Sequence, residues 1–299
     1  LRIRHGQKEP YGIKTWCLGN EIYGDWEYGH RDAARYGADA REAAKFLKKT
    51  DRHAVTILCG CSYNQDWNEK VLEIAWDWTD LLSIHMSANR RGKDYARSGD
   101  LLDKYIEETT NTIARVNKRK GGKRQIRLSL DEYFLWDGNE GGADPEYTKG
   151  RHILEPVYTV LDAMVLGDLH ITMHNHADAV RCANIAQSVN AIAPVRTEKN
   201  GMLWHQATFD PLRLACAYGQ GTALRLAWSE NSADDLRASA VWNEAAGRLA
   251  VFMVNRSAQT AHDFKLSVPG SWRVSVSKEV SGDRKAKNGP EAEPVRAKD

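Results

Sequence analysis

The sequence lacks four things, and each absence excludes a class of protein. No apolar run approaches the roughly 18 residues that a membrane-spanning helix needs. There is no excess of charge: 42 Lys+Arg stand against 40 Asp+Glu in 299 residues, a formal net charge of +2. That balance argues against a dedicated nucleic-acid or membrane-surface binder, which would show a basic face or stripe. The five cysteines are odd in number and none forms a C-x-x-C pair, which argues against a disulfide framework or a structural zinc site. Internal repeats and low-complexity stretches are missing too, apart from a polar tail from Lys285 to Asp299 that is expected to bury little.

With 42% hydrophobic and 27% charged residues the chain can build a sizeable core, and the length suggests about two domains. The sequence starts at Leu1 with neither an initiator Met nor a signal-like apolar stretch, so compartment is not read from this end. A cytoplasmic location is the expectation.

The first two-thirds alternates strand and helix signals. Apolar runs at 12–19, 54–60, 81–85, 125–130 and 179–185 read as strands. Between them, residues such as Ala33, Gly37, Ala40, Ala44 and Leu47, or Leu102, Ile106, Ile113 and Val116, recur at helical spacing. A last helix is predicted over 203–218. Repeated strand–helix units predict a parallel α/β architecture. After about Gly219 the period changes. Phe264, Leu266 and Val268, and then Trp272, Val274 and Val276, alternate with polar residues as half-buried strands do. At least four antiparallel strands are predicted here, arranged as a sandwich. The expected domains are 1–218 and 219–299.

Polar residues that end parallel strands carry the chemistry in such folds. Three places qualify: Asn20-Glu21, His85 and Asp131-Glu132. A glutamate at a strand end among aromatic residues is costly without partners or a task. Two glutamates from different strands that meet in one cleft are what glycoside hydrolysis requires, one protonated to donate to the leaving oxygen and one ionised. The residues alone leave open a second reading, in which both carboxylates make structural hydrogen bonds. Cys59-Gly60-Cys61 reads as small packing residues. His170, His174 and His176 do not follow a recognised metal-ligand spacing.

The wording of the segments narrows the choice. KTWCLGNEIYGDWEYG (Lys14 to Gly29) resembles the acid/base segment of family 51 α-L-arabinofuranosidases, and LSLDEYFLW (Leu128 to Trp136) resembles their nucleophile segment. The resemblance continues through His174 to Glu198 and Trp204 to Gly221. It implies Glu21 as general acid/base and Glu132 as nucleophile, with the carboxyl groups about 5–5.5 Å apart as in retaining enzymes. It further implies that Asn20 bonds the sugar 2-hydroxyl, that His85 is the histidine of the sixth barrel strand, that Trp136 walls the sugar subsite, and that Gln187 reaches it from the eighth strand. The implied partner is an arabinose-containing oligo- or polysaccharide. No metal or cofactor is implied, and the family is often oligomeric.

Two departures follow from the same comparison. The family's sixth strand reads His-x-Tyr, where this chain has His85-Met86-Ser87. Losing the tyrosine's bond to an ionised carboxylate would cost about 1.5–3 kcal/mol. The acid/base ends the fourth strand in that family, so the fold implied for this chain is a partial (β/α)8 TIM barrel, strands four to eight, followed by an incomplete β-sandwich. Five strands cannot close an eight-stranded barrel. Two further readings stay open: another retaining barrel glycosidase acting on xylan or glucan, and an inactive sugar-binding fragment.

Overall fold

The computed structural model describes residues 1–137, 154–229 and 234–298. Five strands, β1 (Thr15–Cys17), β2 (Val55–Leu58), β3 (Leu81–Asn89), β4 (Arg127–Trp136) and β5 (Val180–Ile185), are hydrogen-bonded in sequence order in one sheet. β1 pairs β2 and β2 pairs β3 in parallel. The intervening helices are α1 (Ala33–Thr50), α2 (Gln65–Ala75), α3 (Ser98–Arg119) and α4 (Val160–Asn175). The strand–helix alternation read from the sequence is therefore the observed order. Among the described residues no helix is long and apolar enough to cross a membrane.

The chain divides into two compact units. The first comprises Leu1–His85, Tyr105–Asp131 and Ala179–Cys182. Its core includes Leu58, Val71, Leu72, Leu82, Ile84, Ile106, Val116, Leu128 and Leu130, all buried. Its helices start at side-chain caps. The Asp32 carboxylate accepts the Arg35 N–H at 2.8 Å ahead of α1, and Asn64 accepts the Trp67 N–H at 3.0 Å ahead of α2; each satisfies a donor that the first helical turn leaves unpaired. Lys48 and Lys49 close α1, where positive charge suits the helix dipole.

The second unit comprises Met86–Lys104, Glu132–Asp178 and Ala183–Asp299. α4 is buried along most of its length, from Val160 to Met173, with Asp162, Asp168 and His170 among its buried residues. A capping box starts it: Asp162 accepts the Thr159 N–H at 2.7 Å. The unit also holds a short antiparallel pair, β6 (Val195–Thr197) with β7 (Leu203–His205), the helix α5 (Phe209–Tyr218), and an antiparallel sheet of β8 (Thr222–Leu224), β9 (Leu236–Asn243) and β10 (Arg248–Asn255) in the order β10-β9-β8.

The structure differs from the sequence reading in four places. β4 runs on past Asp131-Glu132 to Trp136, because Tyr133 and Leu135 bury alternate side chains. The helix predicted over 203–218 begins only at Phe209; its first residues form β7, with Trp204 buried and its indole donating to Glu198 at 2.9 Å. The alternating segments around Leu266 and Val274 belong to no strand, and Val274 is 82% exposed, so the observed sheet has three strands. A period of two makes a strand only where a neighbour supplies the ladder. The tail, finally, is not idle. Val295 is 4% exposed in a cluster with Val160, Ala163 and Ala207. Asn288 clamps it, accepting the Val295 N–H at 2.7 Å and donating to its carbonyl at 2.8 Å.

Candidate active site

Glu21 lies four residues beyond the end of β1, in a turn that its sequence makes possible. Gly19 has φ of +143°, and a Cβ there would come within 2.8 Å of the Ile22 side chain. Glu21 itself is left-handed at φ 44°, an uncommon conformation for a residue with a side chain and one that concentrates at functional sites. The carboxylate is partly buried and held by several donors. His85 Nδ1 is 2.9 Å from Oε1, and the Trp26 indole N–H donates to Oε2 at 2.6 Å. Tyr23 also favours the ionised form. The His85 bond, helped by Trp26 and Tyr23, holds this carboxyl below its usual range against the opposing effect of burial.

His85 sits in β3 and its backbone is pinned from the loop after β2. Ser62 Oγ accepts the His85 N–H at 2.9 Å and donates to its carbonyl at 2.6 Å. The imidazole faces a second carboxylate, with Nε2 3.5 Å from Oδ1 of Asp131. Ser83, two residues earlier on β3, donates to that same oxygen at 2.5 Å, and the Cys17 thiol at the end of β1 lies 3.4 Å from Oδ2. The sequence reading singled out Asp131 only as the neighbour of Glu132. Its partners Ser83 and Cys17 were not singled out, and Cys17 is marked only by its place at the end of an apolar run.

An aromatic group surrounds this cluster. Tyr23 makes edge contacts with Trp26, Tyr63 and Trp67 at 5.8–6.0 Å between centroids. Trp67 stacks on Tyr36 at 5.6 Å. Asn20 is exposed beside Glu21, and its amide is 3.4 Å from the Glu27 carboxylate. Ser87, two residues after His85 on β3, is also exposed.

The remaining candidates belong to the second unit. Glu132 is half-buried within β4, not at its end. The next residue, Tyr133, is buried, with its hydroxyl 3.1 Å from Nε2 of His170 on α4. Trp136 ends β4 with its ring edge-on to Phe134, and its indole N–H has no hydrogen-bond partner among the described residues. Gln187 is exposed just beyond β5, where the Ala186 N–H donates to the Tyr133 carbonyl at 3.0 Å. The three histidines of the 170–176 stretch face different partners: His170 faces Tyr133, His174 faces Ser239, and His176 faces Asp103.

The carboxylates on this strand–helix alternation invite comparison with known proteins. Residues 131–298 match the α-L-arabinofuranosidase C-terminal domain, and residues 2–160 match the N-terminal domain of glycosyl hydrolase family 79. The intracellular exo-α-(1→5)-L-arabinofuranosidase 1 of Bacillus subtilis is 39% identical over 276 residues, 86% of this chain and 55% of the relative. An exo-α-(1→6)-L-arabinofuranosidase of Bifidobacterium longum is 33% identical, over 92% of this chain and 58% of the relative. Among solved structures, a family 51 α-L-arabinofuranosidase from Bifidobacterium longum superposes with a TM-score of 0.88 at 29% identity, over 99% of this chain and 64% of that one. The Thermotoga maritima enzyme in its arabinose complex gives 0.80 at 26% identity, with the same coverage. The chain belongs to the family 51 α-L-arabinofuranosidases. It spans little more than half the length of the curated relatives it matches.

Proposed function

We propose that the protein carrying this sequence is a retaining exo-acting α-L-arabinofuranosidase that removes terminal arabinofuranosyl groups from arabinose-containing oligo- and polysaccharides. The observation that carries the reading is Glu21, a carboxylate set beyond a strand end by a left-handed turn and gripped by His85 and Trp26. Relatives named for α-(1→5) and α-(1→6) action support exo cleavage, with α-(1→5)-linked arabinose as the first substrate to try. The relatives' description as intracellular supports action inside the cell.

In this reading β1 to β5 are strands four to eight of a (β/α)8 barrel within residues 1–218, and 219–299 belongs to a β-sandwich domain. Glu132 attacks the anomeric carbon while Glu21 protonates the leaving oxygen. Glu21 then takes a proton from water as the glycosyl-enzyme is hydrolysed. The two carboxyls stand about 5–5.5 Å apart in such a double displacement. Asn20 bonds the sugar 2-hydroxyl, His85 stands at the same subsite beside Glu21, and Trp136 and Gln187 complete it.

The test is hydrolysis of 4-nitrophenyl α-L-arabinofuranoside and α-1,5-arabinobiose by the full-length protein, with the anomeric form of the first product read by NMR. Glu132→Gln is expected to lower turnover by several orders of magnitude. An inverted product, or a Glu132→Gln variant as active as the parent, would overturn the assignment. Binding of arabino-oligosaccharide with no turnover in a folded parent would favour a sugar-binding role.

A further inference from the structure

Both ring nitrogens of His85 face carboxylates. Nδ1 is 2.9 Å from Glu21 and Nε2 is 3.5 Å from Asp131. The ring therefore has no nitrogen aimed away from a carboxylate, and its part in the site is played through Glu21. Its placement is over-determined, since Ser62 pins its backbone on both sides and Ser83 orients the Asp131 oxygen that faces it.

Facing carboxylates constrain where protons can sit. An ionised Asp131 favours a hydrogen on Nε2, because a bare nitrogen lone pair would repel it. With Nε2 protonated, Nδ1 and Glu21 oppose each other across one hydrogen bond that needs one proton, carried either by the carboxyl or by the ring. The thiols and phenols around them are neutral near pH 7. Burial pushes the Cys59 thiol up to about 12 and the Tyr63 hydroxyl up to about 12, and it raises Cys61 and Tyr23 as well. Cys17, beside Asp131, is likewise pushed up to about 12. These thiols and phenols therefore add no charge beside Glu21, His85 and Asp131.

We propose that Glu21 and His85 work as one acid–base pair sharing a single proton, with Asp131 as the positioning residue that keeps a second proton on Nε2 of His85. This deepens, and rests on, the reading of Glu21 as the general acid/base. In the resting site the shared proton is on Nδ1 and the pair is ionic, in accord with the depressed titration of Glu21. During cleavage the Nδ1–H bond breaks as a carboxyl O–H forms, and that O–H breaks as the leaving oxygen takes the proton and its bond to the anomeric carbon is lost. The ring is left neutral, with its remaining hydrogen on Nε2 toward Asp131. In the second half-reaction Glu21 takes a proton from the attacking water and the pair returns to its starting state, so no proton is gained or lost over the cycle. A carboxyl ionised at neutral pH can in this way deliver a proton, because the imidazole stores it.

The test is the pH profile of kcat/KM in the full-length protein with α-1,5-arabinobiose, whose leaving group needs protonation. The parent's alkaline limb is expected where an imidazole titrates, at about pH 6.5 or above. His85→Gln keeps an N–H donor for Glu21 but stores no proton. Its limb should fall by about two pH units toward the carboxylate range, with roughly 100-fold less activity at pH 7. Turnover of 2,4-dinitrophenyl α-L-arabinofuranoside, which leaves without a proton, should fall less at pH 7 than turnover of arabinobiose. Asp131→Asn should move the limb the same way by a smaller step. The limb's position does not depend on how much enzyme is folded, so Asp131→Asn alone reads the proposal if His85→Gln is poorly produced. Glu21→Ala with azide is the control for the underlying reading: it should lose arabinobiose turnover and regain dinitrophenyl turnover as a glycosyl azide. If Glu21→Ala behaves in this way but the limb stays in place in both His85→Gln and Asp131→Asn, the proton-sharing pair is wrong and the acid/base reading stands. If Glu21→Ala hydrolyses arabinobiose as the parent does, the acid/base reading itself fails.

Discussion

Trp26 donates its indole N–H to Oε2 of Glu21 across 2.6 Å, from five residues further along the same turn. The ring is 61% exposed, so the hydrogen bond and not burial is what the residue contributes locally. A hydrogen bond to an ionised group is worth about 1.5–3 kcal/mol when buried and less toward solvent. This gives the bond a pH signature.

The folded Glu21 carboxyl titrates below its ordinary value, held there first by His85 and further by Trp26. A depressed carboxyl contributes stability above its unfolded value of about 4.3, and the contribution is lost as pH falls through the folded value. Trp26→Phe raises the folded value and removes part of that contribution. Urea unfolding of the full-length variant should show a loss of about 1 kcal/mol at pH 7 that is smaller at pH 3, below the unfolded value. An equal loss at both pH values would mean that Trp26 stabilises by packing alone.

Asn68 is 0% exposed and acts as a clamp on the loop that ends in Ser62. Its side-chain oxygen accepts the Cys61 N–H at 2.7 Å, and its amide donates to the Cys61 carbonyl at 2.8 Å and to Gln65 at 3.0 Å. Asn68→Ala strands the buried Cys61 N–H, at a cost of about 1–3 kcal/mol, and leaves the Cys61 carbonyl only the longer bond from the Asn64 N–H at 3.4 Å. The expected loss is about 2–4 kcal/mol by denaturant unfolding. Because Ser62 holds the His85 backbone, a drop in turnover should accompany it. A variant within about 0.5 kcal/mol of the parent would show that Cys61 finds other partners.

In the second unit, Asp168 is fully buried and accepts the Gly99 N–H at 3.0 Å. A Cβ at position 99 would stand 2.4 Å from the Asp168 carboxylate. Arg237 and Arg256 offset its charge from 3.6 and 3.8 Å, so it cannot shift without disturbing both. Gly99→Ala should therefore cost about 1–3 kcal/mol as an overpacked site, read as a lowered unfolding midpoint. Gly121→Ala, where nothing lies within 4 Å but φ is +95°, separates backbone strain from this collision.

Much of the fold was legible because each parallel strand is a short apolar run set off from the helical stripes between. The turn carrying Glu21 was legible for the same reason, since the polar pair Asn20-Glu21 ends an apolar run. What escaped depends on pairings between distant residues. Nothing local to Ser62 or Asn68 says that they hold Cys61 and His85 in place. Leu203 to His205 is too short for a period of two to stand out against the helix that follows. The alternation around Val274 was a correct reading of a pattern with no ladder partner in the described residues. Val295 and Asn288 looked idle because two buried residues in a polar tail leave no periodicity.

His170 yields the last prediction. It is 6% exposed, its Nε2 meets the Tyr133 hydroxyl, and its Nδ1 has no partner among the described residues. Burial, with a smaller effect from His174, lowers its titration from 6.5 to about 3. Above 6.5 the ring is neutral folded or unfolded and adds no pH dependence. Below it the unfolded chain binds a proton that the folded chain refuses, so stability falls with pH until about 3, at about 1.4 kcal/mol per unit. Between pH 6.5 and 4.5 this one ring should cost roughly 2–3 kcal/mol. His170→Gln keeps an amide for Tyr133 and cannot titrate. Urea unfolding of parent and variant at these two pH values should show the gap between them shift by that amount in the variant's favour at pH 4.5. A constant gap would mean that the ring is already charged, or accessible to protons, in the folded protein.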